Sequence, residues 1–137
     1  MSLKLLAISG SSRKDSVNGK LLAAAVRSVR ASGAEVAEIT QLDLRALALP
    51  IYDGDLEDSA GLPAGCLALK QALREHDALL VASPEYNGFF SPLLKNAIDW
   101  ASRPQEGVPS PFTGKVAALL AASPGALGGI RGLPAVR

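Results

Sequence analysis

The sequence predicts an α/β domain built on an open parallel sheet of order 2-1-3-4, with Ala-rich helices on its faces. Three observations predict it. Short apolar runs alternate with longer stretches of helical periodicity along the chain. The runs are continuous rather than alternating in polarity, which suits strands buried on both sides. Small, polar, flexible segments follow the first and third runs, at the strand-to-helix junctions where parallel sheets place their ligand loops.

Leu3 to Ser9 is a short apolar run ending in Ser and Gly, the pattern of a buried first strand. A helix is expected from about Val17 to Ala31, with Leu22, Ala25, Val26 and Val29 as its apolar stripe and Gly33 placed for a C-terminal cap. Glu35 to Thr40 reads as the second strand. Leu44 to Pro63 holds Pro50, Tyr52, Asp53, Gly54, Gly61 and Pro63, so a surface loop with little regular structure is expected. Gly65 to Glu75 resumes a helical pattern, with Cys66, Leu69, Ala72 and Leu73 on one face and Lys70 and Arg74 pointing away. Ala78 to Ser83 is the third strand. Ser91-Pro92 starts another helix: a hydroxyl to cap, then a residue lacking the amide hydrogen that the first turn cannot use. That helix runs to about Ser102. A Pro/Gly loop over Arg103 to Gly114 leads to a fourth strand, Lys115 to Ala122, and a short Gly-rich segment from Gly125 to Pro134. Parallel strands joined through helices imply right-handed crossovers.

The 137 residues suit one domain, 1–137, with one core. Hydrophobic residues make up 48% and aromatic residues 4%, so Ala, Leu, Val and Ile must build that core. Fourteen basic and thirteen acidic residues leave a formal charge of +1, which supplies no footprint for nucleic acid or an anionic membrane. Cys66 is the single cysteine; it excludes an internal disulfide and fits a reducing, cytoplasmic location. One basic residue before a very short apolar run makes the amino terminus neither a signal peptide nor a membrane span.

The segment Ser9-Gly10-Ser11-Ser12-Arg13-Lys14-Asp15-Ser16-Val17-Asn18 joins a strand's carboxyl end to a helix's amino end. Unpaired amides and the helix dipole both point at a ligand there. Ser11, Ser12 and Ser16 supply hydroxyls, Asn18 an amide and Arg13 a guanidinium fork, together a cradle for a terminal phosphate. A Walker loop is excluded, because Lys14 stands where its first glycine belongs and Leu21 follows Gly19-Lys20. The three-glycine dinucleotide pattern is absent, no aspartate ends the first strand as a receiver domain would need, and no cysteine sits in the loop for a phosphatase. A Ser-rich turn that merely caps the helix is the bland alternative. After the third strand comes Ser83-Pro84-Glu85-Tyr86-Asn87-Gly88-Phe89-Phe90-Ser91-Pro92. For order 2-1-3-4 this loop faces the first across the topological switch point, the position at which flavodoxin carries its FMN. Its aromatic residues and backbone donors suit the flat wall of a redox ring, or else packing beneath a neighbouring subunit.

Together with Pro92-Leu93-Leu94-Lys95-Asn96-Ala97-Ile98-Asp99-Trp100, these loops resemble the NADPH-dependent FMN reductase family, which has a flavodoxin-like fold and includes quinone, azo-dye and chromate reductases. The likeness covers nearly the whole chain in the same order. It implies that Ser11, Arg13, Ser16 and Asn18 hold the FMN phosphate. Pro84, Glu85, Tyr86 and Asn87 would line the ribityl chain and isoalloxazine ring, with Ser123 and Gly125 bordering the ring from the other side. It further implies NADPH or NADH as hydride donor, small-molecule electron acceptors, and a homo-dimer or tetramer. No protein acid, base or nucleophile is required, since the cofactor carries the chemistry. Members of that family continue into a further helix, a fifth strand and a last helix, whereas this chain stops at Arg137. The expectation is therefore a sheet lacking its fifth strand, its fourth an uncovered apolar edge. The chain is then a fragment, or another copy covers the edge.

Several other residues take plainer readings. Cys66 is expected in the core, His76 as a surface helix cap, Trp100 in packing, and Lys95–Asp99 as a solvated i,i+4 pair. One His and one Cys give no basis for a transition-metal site. Asp53, Asp55, Glu57 and Asp58 form an acidic, solvated loop cluster. Three other functions stay open: a flavodoxin-type carrier that does not oxidise NAD(P)H, a flavin-free enzyme acting on a nucleotide or phosphosugar, and a non-catalytic assembly module. The near-neutral charge disfavours the carrier, because carriers of that type are strongly acidic.

Overall fold

The computed structural model describes residues 2–137. In chain order the elements are β1 (Leu3–Ser9), α1 (Val17–Ala31), β2 (Val36–Asp43), α2 (Gly54–Ala60), α3 (Ala64–Glu75), β3 (Ala78–Ala82), β4 (Glu85–Tyr86), β5 (Phe89–Phe90), α4 (Pro92–Ala101), β6 (Val116–Leu120) and α5 (Gly132–Val136). The main sheet is parallel, of order β2-β1-β3-β6, which is the expected order with β6 as the fourth strand. Its register sets Leu5 opposite Ala78 and Ala78 opposite Val116.

Successive strand side chains point to opposite faces, so the unbroken apolar run of β1 serves two cores. Leu6 and Ile8, with Leu79 and Val81 of β3, pack against Leu69 and Leu73 of α3 and Leu94 and Ala97 of α4. Leu5 and Ala7, with Leu80 and Ala82, pack against Leu22 and Val26 of α1. The helix ends follow local chemistry. Ser16 caps α1 by accepting from the Gly19 amide, and Ser91 caps α4 by accepting from Leu94. Trp100 is fully buried, as expected, and its indole N–H donates to the Pro50 carbonyl at 2.8 Å.

Six local expectations need correction. The second strand, expected to end at Thr40, runs on to Asp43 beside β1. The loop expected over Leu44–Pro63 contains α2, because the Asp53 carboxylate caps the Asp55 and Leu56 amides and the acidic first turn suits the helix dipole. Within the same cluster, Glu57 is spent on the Tyr52 hydroxyl and the Arg103 guanidinium. Lys70, expected to point away, is buried with its ammonium on the Arg103 carbonyl. His76, expected as a surface cap, is buried between the Ala72 carbonyl and the Thr40 hydroxyl. Finally, the loop after β3 folds into the β4–β5 hairpin. Asn87 and Gly88 both have positive φ there, as a two-residue turn of the primed type requires.

Among the described residues the sheet has no strand beyond β6. Val116 is exposed, and on the α3–α4 side an apolar groove of about 310 Å³ runs past Ala117 and Leu119.

Gly65 lies in the first turn of α3 where a Cβ would stand 2.0 Å from the Leu47 carbonyl oxygen. On an exposed helix, Gly→Ala adds stability. Here Gly65→Ala is expected to remove about 1–3 kcal/mol through overpacking against backbone. Urea unfolding checks this, and a stabilised variant would show that the 44–49 segment yields.

Candidate functional site

The carboxyl ends of β1, β3 and β6 lie side by side and their following segments meet. Gly10, just past β1, donates its amide to Ala82 at the end of β3 and accepts at its carbonyl from the Ser91 hydroxyl. A Cβ on Gly10 would lie 3.1 Å from Ser91 Oγ, 3.2 Å from Leu94 Cβ and 3.3 Å from Ser83 Oγ. The first loop thus presses directly on the segment after β3 and on the start of α4. From the other side, Ser83 donates its amide to Leu120, tying that segment to β6.

The first loop is exposed from Ser12 to Asp15. Ser11 Oγ accepts from the Arg13 amide at 3.3 Å, which curls the chain. Among the described residues, the amides of Ser12, Lys14, Asp15 and Ser16 have no internal partner, and the Arg13 guanidinium pairs with no carboxylate. These donors sit at the amino end of a fifteen-residue helix, where the dipole favours an anion. Ser16 caps α1 with a lone pair, and its hydroxyl hydrogen stays available, so the bland and the functional readings coexist. Asn18 has another engagement. Its side chain is buried, and its amide spans the Ala122 backbone, donating to the carbonyl at 3.0 Å and accepting from the amide at 2.9 Å. It locks α1 to the end of β6 and keeps one N–H free.

In the second segment Pro84 is buried while Tyr86 and Asn87 are exposed on the hairpin. Phe89 and Phe90 stack with centroids 4.5 Å apart; Phe90 is buried, and Phe89 alone remains at the surface. The flat wall expected from two phenylalanines is therefore one ring plus Tyr86. Glu85 offers no free carboxylate: it accepts from the Arg131 and Gly132 amides at 2.9 and 3.0 Å and pairs with the Arg131 guanidinium at 2.6 Å. Desolvation pushes the Glu85 carboxyl up, but the amides and the guanidinium outweigh it and hold it below the usual carboxylate range. Ser123 and Gly125 form an exposed turn after β6, the Gly125 amide donating to Ser123 Oγ at 3.0 Å.

Two residues escape the sequence reading. Arg45 donates to the Ser12 carbonyl at 2.8 Å and braces the first loop from the β2 side. A strand ending at Thr40 places Arg45 away from the ligand edge; a strand ending at Asp43 brings it there. Arg131 lies beside the Gly88 turn, its guanidinium 3.7 Å from where a Gly88 Cβ would stand. Gly-rich sequence around it carries no periodic signal.

A parallel α/β sheet of this order, with an anion-competent loop at its switch point, defines the flavodoxin-like class of fold. Residues 3–137 match the NADPH-dependent FMN reductase family, and the chain belongs to it. It is 42% identical over 130 residues to an NAD(P)H-dependent FMN reductase of Pseudomonas aeruginosa, covering 94% of this chain and 64% of that protein. It is 33% identical over 129 residues to a quinone reductase of Escherichia coli, again covering 94% and 64%. The chain thus spans just under two thirds of the length of these curated relatives. Among solved structures, the flavoenzyme NAD(P)H:(acceptor) oxidoreductase FerB from Paracoccus denitrificans superposes with a TM-score of 0.79 at 33% identity, covering 98% of this chain and 68% of that one.

Two outcomes are expected from this geometry. Asn18→Ala strands the Ala122 amide and carbonyl and should cost about 1–3 kcal/mol in chemical denaturation. A Glu85 carboxyl depressed in the folded state contributes stability that is full above the ordinary glutamate range and lost as pH falls below it. Glu85→Gln should therefore flatten the acid limb of thermal stability against pH, and an unaltered limb would assign acid sensitivity elsewhere.

Proposed function

We propose that the chain binds FMN at the edge formed by residues 10–18 and 83–91 and works as an NAD(P)H-dependent oxidoreductase. The observation that carries this is the unpaired amide cluster at the start of α1, held by Gly10 against the segment after β3. The residues present fit the group. A phosphate ester carries a double negative charge and several acceptor oxygens. The first loop offers unspent amides, the Ser11, Ser12 and Ser16 hydroxyls, the Arg13 guanidinium and the remaining Asn18 N–H.

Bound there, FMN would supply the redox chemistry, accepting hydride from NADPH or NADH and passing reducing equivalents to quinones, azo compounds or metal oxyanions. The protein's part is positioning. Ser11, Arg13 and Ser16 fix the phosphate, while Asn18 holds the end of β6, and so Ser123 and Gly125, in register with the loop. Pro84, Tyr86 and Asn87 form the wall on which the ring rests. Backbone donors near Asn87 and Ser123 would stabilise the charge that the ring gains on reduction. Glu85 acts indirectly, by holding Arg131 and the start of α5 against the hairpin. A homo-dimer or tetramer would cover the β6 edge and the exposed Phe89 and Ile130, and the lone buried Cys66 suits the reducing cytoplasm.

The absorbance spectrum of the purified protein with added FMN is the first test. Bound flavin with quinone-dependent NADPH consumption is expected; a protein that stays colourless would end this reading in favour of a flavin-free enzyme. Arg13→Ala should weaken FMN binding by about 1.5–3 kcal/mol, the range for a hydrogen bond to a charged group. An unchanged affinity by fluorescence titration would remove Arg13 from the site.

A further inference from the structure

At the opposite, amino-terminal edge of the sheet, α3 and the segment after α4 enclose a second cavity of about 200 Å³. Its walls include Lys70, Arg74 and Arg103, together with Ser102, Gln105 and Ser110, and no Asp or Glu. Lys70 is 1% exposed, and its ammonium donates to a neutral group, the Arg103 carbonyl. Arg74 meets the neutral Gln105 amide oxygen at 2.7 Å. Arg103 has an acidic partner, Glu57, and that carboxylate lies outside the cavity wall. Among the described residues, neither Lys70 nor Arg74 forms an ion pair.

A buried cation is costly unless a charge and hydrogen bonds compensate it, and one carbonyl uses a single donor of the three an ammonium carries. We propose that this cavity binds a small tetrahedral oxyanion of the phosphate or sulfate type. The anion accepts from Lys70 and Arg74, with the Ser102 and Ser110 hydroxyls completing its surroundings. Charge excludes a metal cation. An apolar ligand would leave both cations unanswered, and water would satisfy donors without neutralising charge. Burial, helped by the neighbouring Arg74 and Arg103 charges, pushes the Lys70 ammonium below the ordinary lysine range, and an anion beside it opposes that shift. The site lies away from the first loop: α3 and α4 run antiparallel to the strands, so their carboxyl ends reach the edge opposite residues 10–18.

Calorimetric and thermal-shift titrations with inorganic phosphate, at fixed ionic strength, test this in four proteins. The unsubstituted chain and Arg13→Ala, which disables the first loop, should both bind phosphate at this cavity and unfold at higher temperature. Arg74→Gln, on an exposed stretch of α3, should keep its fold and bind phosphate about tenfold more weakly. Lys70→Met should lose the response while remaining at least as stable without phosphate, since an apolar chain of similar volume replaces an uncompensated charge. The proposal is overturned by no phosphate response in the unsubstituted chain, by a response lost in Arg13→Ala, or by full affinity in Arg74→Gln. Those results leave Lys70 as a cap on the end of α4. Sulfate, a dianion that carries no proton, in place of phosphate tells whether a phosphate O–H is read, a weaker response assigning part of the recognition to that hydroxyl.

Discussion

Gly10 sets the geometry on which the candidate site depends. Its amide joins β1 to the end of β3, its carbonyl receives the Ser91 hydroxyl, and its missing side chain lets the first loop lie against Ser83 and Leu94. Ser91 belongs to two systems at once, since the same oxygen that reaches Gly10 also accepts from Leu94 and starts α4. One residue pair therefore fixes the start of a helix, the direction of the phosphate-type loop and the seat of the hairpin. Asn18 repeats the device one strand over, where a single amide closes both backbone groups of Ala122. The site is rigid at its base and open at its rim.

Most of the sheet was legible because its signals are local. A continuous apolar run marks a strand buried on two faces, and Ser16, Ser91 and Pro92 mark helix starts by chemistry that needs no tertiary partner. What escaped depends on distant groups. Lys70 looks solvent-facing from helical spacing alone, and only the carbonyl of Arg103, thirty-three positions away, accounts for its burial. His76 is drawn inward by Thr40 of β2. The helix α2 was hidden by its glycine and acidic content, although Asp53 carried a readable cap. The Asn87-Gly88 pair between aromatic residues was likewise a hairpin signal in plain view.

For the candidate site, the sequence pointed to segments that the fold brings together, and it was less informative about what each side chain touches. Arg13 and the small loop around it are exposed and unspent, as a phosphate cradle needs. Asn18 and Glu85 instead direct their polar atoms at the protein itself, and periodicity cannot tell a ligand-facing amide from one that staples two elements. Arg45 and Arg131 show the reverse error, since their positions depend on where β2 ends and on how a Gly-rich tail packs.

The place of β1 in the sheet has a kinetic consequence. It is one of the two inner strands and precedes the others in chain order, yet its partner β3 begins at Ala78 and its other neighbour at Val36. Such non-local pairing slows folding, because both crossovers must close before the strand's hydrogen bonds are complete. Until then Leu5, Leu6, Ala7 and Ile8, all buried in the finished fold, lack their cover, and transiently exposed apolar segments of this kind favour aggregation during folding.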